Sequence, residues 1–160
     1  MNKLTITTPS DREIAMTRAF DAPRHLVYQA YTKPEMLKRW MGVHNGFELV
    51  VCEIDLRVGG TYRYVWKAHG GMSMGMGGVY QDIVKEEKIV STEKFDESWY
   101  PGDAVGTVTF TEAAGRTTVT TTVLYASKEA RDGVLKSPMA EGMGAGFDTL
   151  EKLLALLHPM

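Results

Sequence analysis

The sequence has few of the features that mark secreted or membrane-spanning proteins. Its 160 residues include one cysteine, Cys52, so no internal disulfide can form, and its apolar surroundings predict a buried structural thiol. No run of about 18 apolar residues is present, so we expect no membrane span. The polar start, residues 1–10, lacks the basic and apolar regions of a signal peptide. These absences favour a cytoplasmic location.

The chain also lacks an excess of charge of either sign. It carries 18 lysines and arginines against 20 aspartates and glutamates, a formal net charge of −2. Because nucleic-acid-binding domains usually have a basic face, we expect no nucleic-acid partner. The hydrophobic share of 44% is ordinary for a globular protein, and the length suits one domain with a substantial core. The expectation is a single domain over residues 1–160.

Sequence motifs for metal or phosphate binding are missing as well. The four histidines, His25, His44, His69 and His158, form no pair at i,i+4, and a single cysteine excludes a Cys-x-x-Cys motif. The glycine-rich segment 70–78 does not end in Lys-Ser or Lys-Thr, so we interpret it as a hairpin. We therefore expect neither a metal nor a cofactor.

Methionine and glycine are abundant instead. The chain has ten Met and sixteen Gly, and both types concentrate in segments 70–78 and 139–146. Methionine fills irregular apolar space, whereas glycine allows a close backbone approach, a bend or a bulge. The glycines at 75–78 therefore predict a bent or bulged strand.

Hydrophobic periodicity predicts a strand over 13–20, two short helices, six further strands and a helical C-terminal segment. The short helices cover 23–31 and a segment from Thr32, as N-cap, to Gly42. A helical stretch begins at Ser127, and a long amphipathic helix follows the cap Ser137. The six strands are predicted at 47–56, 61–68, 74–84, 88–96, 105–112 and 117–125.

Strands joined by short turns form an antiparallel meander, and one face of such a sheet needs a cover. The last helix is the one element long enough to lie across the whole sheet. The predicted class is therefore α+β, with a curved antiparallel sheet wrapped around a long C-terminal helix. An uncovered edge strand leaves homodimer formation as an open alternative.

Several segments resemble the activator-of-heat-shock-90-ATPase-like family of the START-like superfamily, which includes Bet v 1-like proteins and polyketide cyclases and is also called SRPBCC. They include Arg18-Ala-Phe-Asp-Ala-Pro23, Thr32-Lys-Pro-Glu-Met-Leu37, Asp55-Leu-Arg-Val-Gly-Gly60 and the closing stretch 142–154. The resemblance covers about residues 12–157. It implies a helix-grip fold with a cavity between the sheet and the long helix.

Superfamily members bind lipids, polyketides, plant hormones or aromatic compounds, and some are enzymes. The resemblance therefore implies a small, largely hydrophobic ligand as partner. An enzyme of the cyclase, hydrolase or isomerase type is the alternative. The co-chaperone that gives the family its name has an additional N-terminal chaperone-binding domain, and this chain has no room for one. Chaperone binding is accordingly the least favoured interpretation.

Ten large side chains are candidates for lining such a cavity, because they lie on elements that should face one another. They are Trp40, Trp66, Met74, Met76, Tyr80, Phe95, Trp99, Met139, Met143 and Phe147. The alternative is a fully packed core in which methionine acts as filler. Small residues on the long helix, Gly142, Ala145 and Gly146, favour open space.

Acid–base chemistry in the cavity would need a polar side chain that faces inward. The candidates are His44, near the expected cavity mouth, and Glu93 and Arg63 on strands. The strand glutamates Glu48 and Glu53 are further candidates on the same grounds. The alternative for each is a position on a solvated outer surface.

Overall fold

The structure, a computed structural model, describes residues 3–43, 46–97 and 100–158. The strands within these residues are β1 (Thr5–Thr7), β2 (Glu13–Phe20), β3 (Phe47–Ile54), β4 (Thr61–Ala68), β5 (Ser73–Val84), β6 (Lys88–Phe95), β7 (Ala104–Ala113) and β8 (Arg116–Leu124). The helices are α1 (Arg24–Thr32), α2 (Pro34–Leu37), α3 (Lys128–Leu135) and α4 (Met139–Leu157).

The eight strands form one antiparallel sheet in the order β1-β2-β8-β7-β6-β5-β4-β3. Strands β3 to β8 are a meander in which each strand pairs with the next along the chain. Helices α1 and α2 connect β2, near one edge of the sheet, to β3 at the other edge. The predicted α+β helix-grip fold is confirmed, with β1 as an additional strand.

Strand β1 was not predicted because its three residues are too few for a periodic pattern. It pairs with β2 through registers such as Thr5↔Thr17, so the threonine-rich start of the chain extends the sheet. Threonine suits this position because its branched side chain fits a half-buried pleated surface.

Helix α4 has two halves of different character. From Phe147 at its middle onward, the helix buries Phe147, Leu150, Leu153 and Leu154 in the core with residues of the sheet and α1. The Phe147 ring packs edge-on against Phe20 of β2, with ring centroids 5.9 Å apart. The first half of α4 presents Gly142 and Gly146 to the interior, and glycine provides little bulk there. The helix therefore fills one end of the interior and leaves space at the other.

A buried ion pair also joins α4 to the sheet. Arg18 of β2 is only 3% exposed, and its Nη1 donates to Oδ1 of Asp148 at 2.8 Å. Its Nη2 donates to Oε2 of Glu151 at 3.4 Å. Because both carboxylates lie on α4, these contacts hold the helix across the strand.

One local expectation was wrong, and the irregularity predicted for β5 is present but lies elsewhere along the strand. Thr32 is the last residue of α1, where its hydroxyl donates to the Tyr28 carbonyl at 2.9 Å, and the N-cap position of α2 is Lys33. The irregularity in β5 lies between Tyr80 and Asp82 instead of at its glycines. Gly78 is needed for another reason, because a Cβ there would collide with the Thr92 carbonyl on β6.

Candidate functional site

A cavity of about 640 Å³ lies between the inner face of the sheet and the first half of α4. Its wall comes from strands β2–β8, the segment around Trp40 and the start of α4, with single residues from α1 and α3. Most of the side chains that form it are aromatic or aliphatic, and the methionine and glycine residues of α4 form one side. The predicted lining residues on this wall are Trp40, Trp66, Met74, Met76, Tyr80, Phe95, Met139, Met143 and Phe147.

The tenth predicted lining residue, Trp99, lies outside the described residues. Of the small residues predicted to leave space, Gly142 and Gly146 lie on the cavity wall and Ala145 does not. Helical periodicity explains this difference, because residues four apart share one face of α4.

The three catalytic candidates differ in their positions relative to the cavity. Glu93 lies on the cavity wall, together with Ile89, Ser91 and Phe95 of the same strand face. His44 lies outside the described residues. The expectation that Arg63 faces inward was wrong: its Nη1 and Nη2 donate to the two carboxylate oxygens of Asp96, each at 2.6 Å, on the outer surface. Strand alternation is the cause, since its neighbours Tyr62 and Tyr64 take the inner face.

The two other candidate glutamates, both on β3, also lie outside the inner face of the sheet. Glu48 and Glu53 are exposed, whereas Leu49 and Cys52 are buried. The shift in pairing register between Leu49 and Val51 places both glutamates on the outer side. Glu93 is therefore the one strand candidate that lies inside.

The cavity wall also carries a group of tyrosines that the sequence pattern alone did not identify as lining residues. Tyr62, Tyr64, Tyr100 and Tyr125 all line the cavity. The first two share alternation with Trp66 on β4, and this pattern could have identified them. Tyr125 ends the predicted strand 117–125 and alternates with the wall residues Thr121 and Val123, so the same pattern could have identified it. Tyr100 lies outside the strands, where periodicity assigns no face.

Glu93 is held in a niche on the sheet. Its carboxyl lies over Gly106 of β7, and a Cβ at that position would collide with the carboxylate oxygen Oε2. Burial raises the pKa of Glu93 to about 7, because the charged form loses its hydration. At neutral pH this carboxyl can therefore either hold or release a proton.

The surrounding tyrosines stay protonated at that pH. Burial, followed by the negative charge of Glu93, raises the pKa of Tyr100 to about 12 and also raises the pKa values of Tyr62 and Tyr125. The Tyr62 hydroxyl donates to the Thr92 carbonyl at 2.6 Å. The tyrosines accordingly contribute neutral rings and hydroxyl groups around the carboxyl.

Both described tryptophans have their indole N–H groups satisfied by the protein. Trp66 Nε1 donates to the Met41 carbonyl and Trp40 Nε1 to the Ala30 carbonyl, each at 2.9 Å. Gly42, with a φ of +69°, permits the turn beside Trp66, where any Cβ would collide with the indole. The two rings therefore present fixed apolar surfaces to the cavity.

The family model for "Activator of Hsp90 ATPase homolog 1-like protein" matches residues 21–155. The chain belongs to this family. The match contains α1, α2 and β3–β8, together with nearly all of α4. It therefore includes the elements that build most of the cavity wall.

Solved structures of several bacterial proteins share this fold over nearly their full length. A Rhodobacter sphaeroides protein is 27% identical, with a TM-score of 0.91, over 96% of this chain and 99% of its own. A Mycobacterium smegmatis protein is 24% identical, with a TM-score of 0.84, over 98% and 100%. A Nitrosomonas europaea protein is 22% identical, with a TM-score of 0.81, over 92% and 97%. No curated protein matches the sequence significantly.

Within the described residues, two other kinds of feature are absent. None of the helices found there combines the length and the apolar character needed to cross a membrane. In the same part of the chain, no three His, Cys, Asp or Glu side chains are grouped so that they could hold a metal ion.

Proposed function

We propose that residues 1–160 act as a single START-like domain that binds a small, largely hydrophobic molecule between the sheet and α4. The observation that carries this proposal is the cavity of about 640 Å³ with its mostly apolar wall. Protein interiors normally contain few voids larger than a water molecule. Ligand pockets have volumes of roughly 300–1,000 Å³, and this cavity falls within that range.

The wall is built to keep the space open. Gly142 and Gly146 face the cavity from α4, where larger side chains would occupy it. Helix interiors disfavour glycine by about 1 kcal/mol relative to alanine, so these positions sacrifice helix stability for space. Methionines at 74, 76, 139 and 143 supply a flexible apolar surface that can adapt to a ligand.

Filling the cavity tests the proposal. We expect the fluorescent apolar probe N-phenylnaphthylamine to bind the native protein, and Gly142→Leu to weaken that binding about tenfold or more because the new side chain occupies the ligand's space. Gly144→Leu is the matched control. It makes the same change on the same helix, at a position where a Cβ meets nothing within 4 Å.

The measurement is a fluorescence titration of each variant, with circular dichroism to show that both retain the fold. Equal affinity of native protein and Gly142→Leu would contradict the proposal, as would a failure of the native protein to bind the probe. The Gly144→Leu variant should bind like the native protein, because its side chain does not enter the cavity.

A second candidate function is acid–base catalysis on an aromatic or polyketide-like substrate by an enzyme of the cyclase, hydrolase or isomerase type. The specific observation in its favour is Glu93, a cavity carboxyl whose pKa of about 7 suits proton transfer at neutral pH. The chaperone ATPase activation in the family's description gains no support from the cavity.

Proton abstraction gives this second candidate a direct test. We expect the native protein in deuterated buffer to accelerate deuterium exchange at the methyl group of acetylnaphthalene, followed by NMR. Glu93→Gln should remove the acceleration while apolar probe binding persists, because glutamine cannot accept the proton. Equal exchange rates in native protein and variant would reject Glu93 as the base.

A further inference from the structure

We propose that the ligand is an apolar molecule with a positively charged amine, and that the amine binds the Glu93 carboxyl within the surrounding tyrosines. This inference rests on the proposed binding function and specifies the class of ligand.

Among the described residues of the cavity wall, the charge has one sign. Glu93 is the one carboxylic acid among them, and they include no lysine, arginine or histidine. Two arginines of the sheet have other partners: Arg18 pairs with Asp148 and Glu151, and Arg63 pairs with Asp96 on the outer surface. A ligand anion would therefore meet repulsion, whereas a cation would be attracted.

The Glu93 carboxyl has no partner within residues 3–43, 46–97 and 100–158. No hydrogen bond or ion pair is formed to it there, and loss of hydration is the sole cause of its raised pKa. Glu93 is half-buried, and an unpaired carboxylate that has lost part of its hydration is costly. A charge-assisted hydrogen bond from an ammonium group would relieve that cost. A neutral hydroxyl could donate one hydrogen bond, but it would leave the charge uncompensated.

Aromatic rings surround the same position. The centroids of Tyr62 and Tyr64 on β4 are 5.0 Å apart, and those of Tyr100 and Tyr125 are 5.3 Å apart on the other side of Glu93's strand. Their π faces attract organic cations, which are weakly hydrated and fit between rings. The Glu93 carboxylate and the tyrosine rings together suit the binding of an ammonium group. The methionines and tryptophans of the wall suit the apolar part of the same ligand.

Competition between three chains of equal length tests the inference. Decylamine, decanol and decanoate, below their micelle concentrations, would displace N-phenylnaphthylamine from the native protein at about pH 8. We expect decylamine to bind about tenfold or more tightly than decanol, because an amine makes a charge-assisted contact with Glu93. Glu93→Gln should reduce this ratio to near one, whereas the exposed-strand control Glu53→Gln should leave it unchanged.

Lowering the pH gives an independent readout. The groups that act on or with Glu93 are Tyr62 and Tyr64 from β4, Tyr100 and Tyr125, with Asp103 acting further out on Tyr100. The tyrosines stay neutral throughout, so titration of Glu93 governs the change. Decylamine affinity should fall as the pH drops below about 7, because Glu93 gains a proton, while decanol affinity should stay constant.

The possible results separate the two proposals. If N-phenylnaphthylamine and decanol bind but decylamine shows no preference, or if Glu93→Gln keeps the native ratio, the amine inference is overturned and cavity binding stands. Tighter binding of decanoate would overturn it as well. If no probe binds the native protein, both proposals fail.

Discussion

Glu93→Gln is expected to raise the free energy of unfolding at about pH 8 by on the order of 2–3 kcal/mol. The carboxyl has a pKa of about 7 in the folded protein, against an ordinary value of 4.5. Between these values the folded state holds a proton that the unfolded state has released, so stability falls as the pH rises from about 4.5 to 7. Above that range the full penalty persists, and glutamine, which does not ionise, avoids it.

Urea unfolding at a series of pH values, followed by tryptophan fluorescence, measures this difference. The gain from Glu93→Gln should be large at about pH 8 and should vanish near pH 4.5. Glu53→Gln, on the exposed face of β3, should show no such dependence. A constant difference between Glu93→Gln and the native protein at all pH values would show that the carboxyl is fully hydrated in the folded state. The charged Glu93 therefore lowers the stability of the ligand-free protein at neutral pH. Such a destabilising residue is typical of a functional site, where a bound ligand compensates the charge.

The second large effect concerns Arg18. Removing both of its partners, in the double variant Asp148→Asn and Glu151→Gln, is expected to cost about 3 kcal/mol or more, because a buried guanidinium is left without a counter-ion. Arg18→Met should cost less. The carboxylates of Asp148 and Glu151 lie towards solvent, with the Asp148 side chain 57% exposed, so both regain hydration when the arginine is removed. The methionine side chain can pack near Phe20, where the Arg18 guanidinium lies in the native protein.

Urea unfolding of the three proteins at neutral pH tests this order of stability. Glu141→Gln, an exposed change in the first turn of the same helix, is the control and should have little effect. An Arg18→Met variant less stable than the double variant would contradict the reasoning. In that case the methylene packing of Arg18, and not its charge, would hold α4 on the sheet.

Alternation along a strand indicates which side chains share a face, and in β6 it is enough to group Glu93 with Ile89, Ser91 and Phe95. The same argument did not reveal which face of a strand is the inner one. Arg63 was expected inside, although the inner residues of β4 are Tyr62, Tyr64 and Trp66. A strand that has aromatic residues on one face and charged residues on the other favours the aromatic face as the inner one, and β4 carries this signal.

The local pattern of the sequence determined the α+β class, the order of nearly all elements and the amphipathic character of α4, because these depend on residues close together along the chain. Only the tertiary structure decided that α4 is packed in its second half and open in its first, that Glu93 lies unpaired over Gly106, and that Tyr100 and Tyr125 join it. Burial of a charge and the volume of a cavity depend on contacts between strands far apart in the sequence. Those contacts are fixed by sheet curvature and register, which no periodicity along one strand encodes.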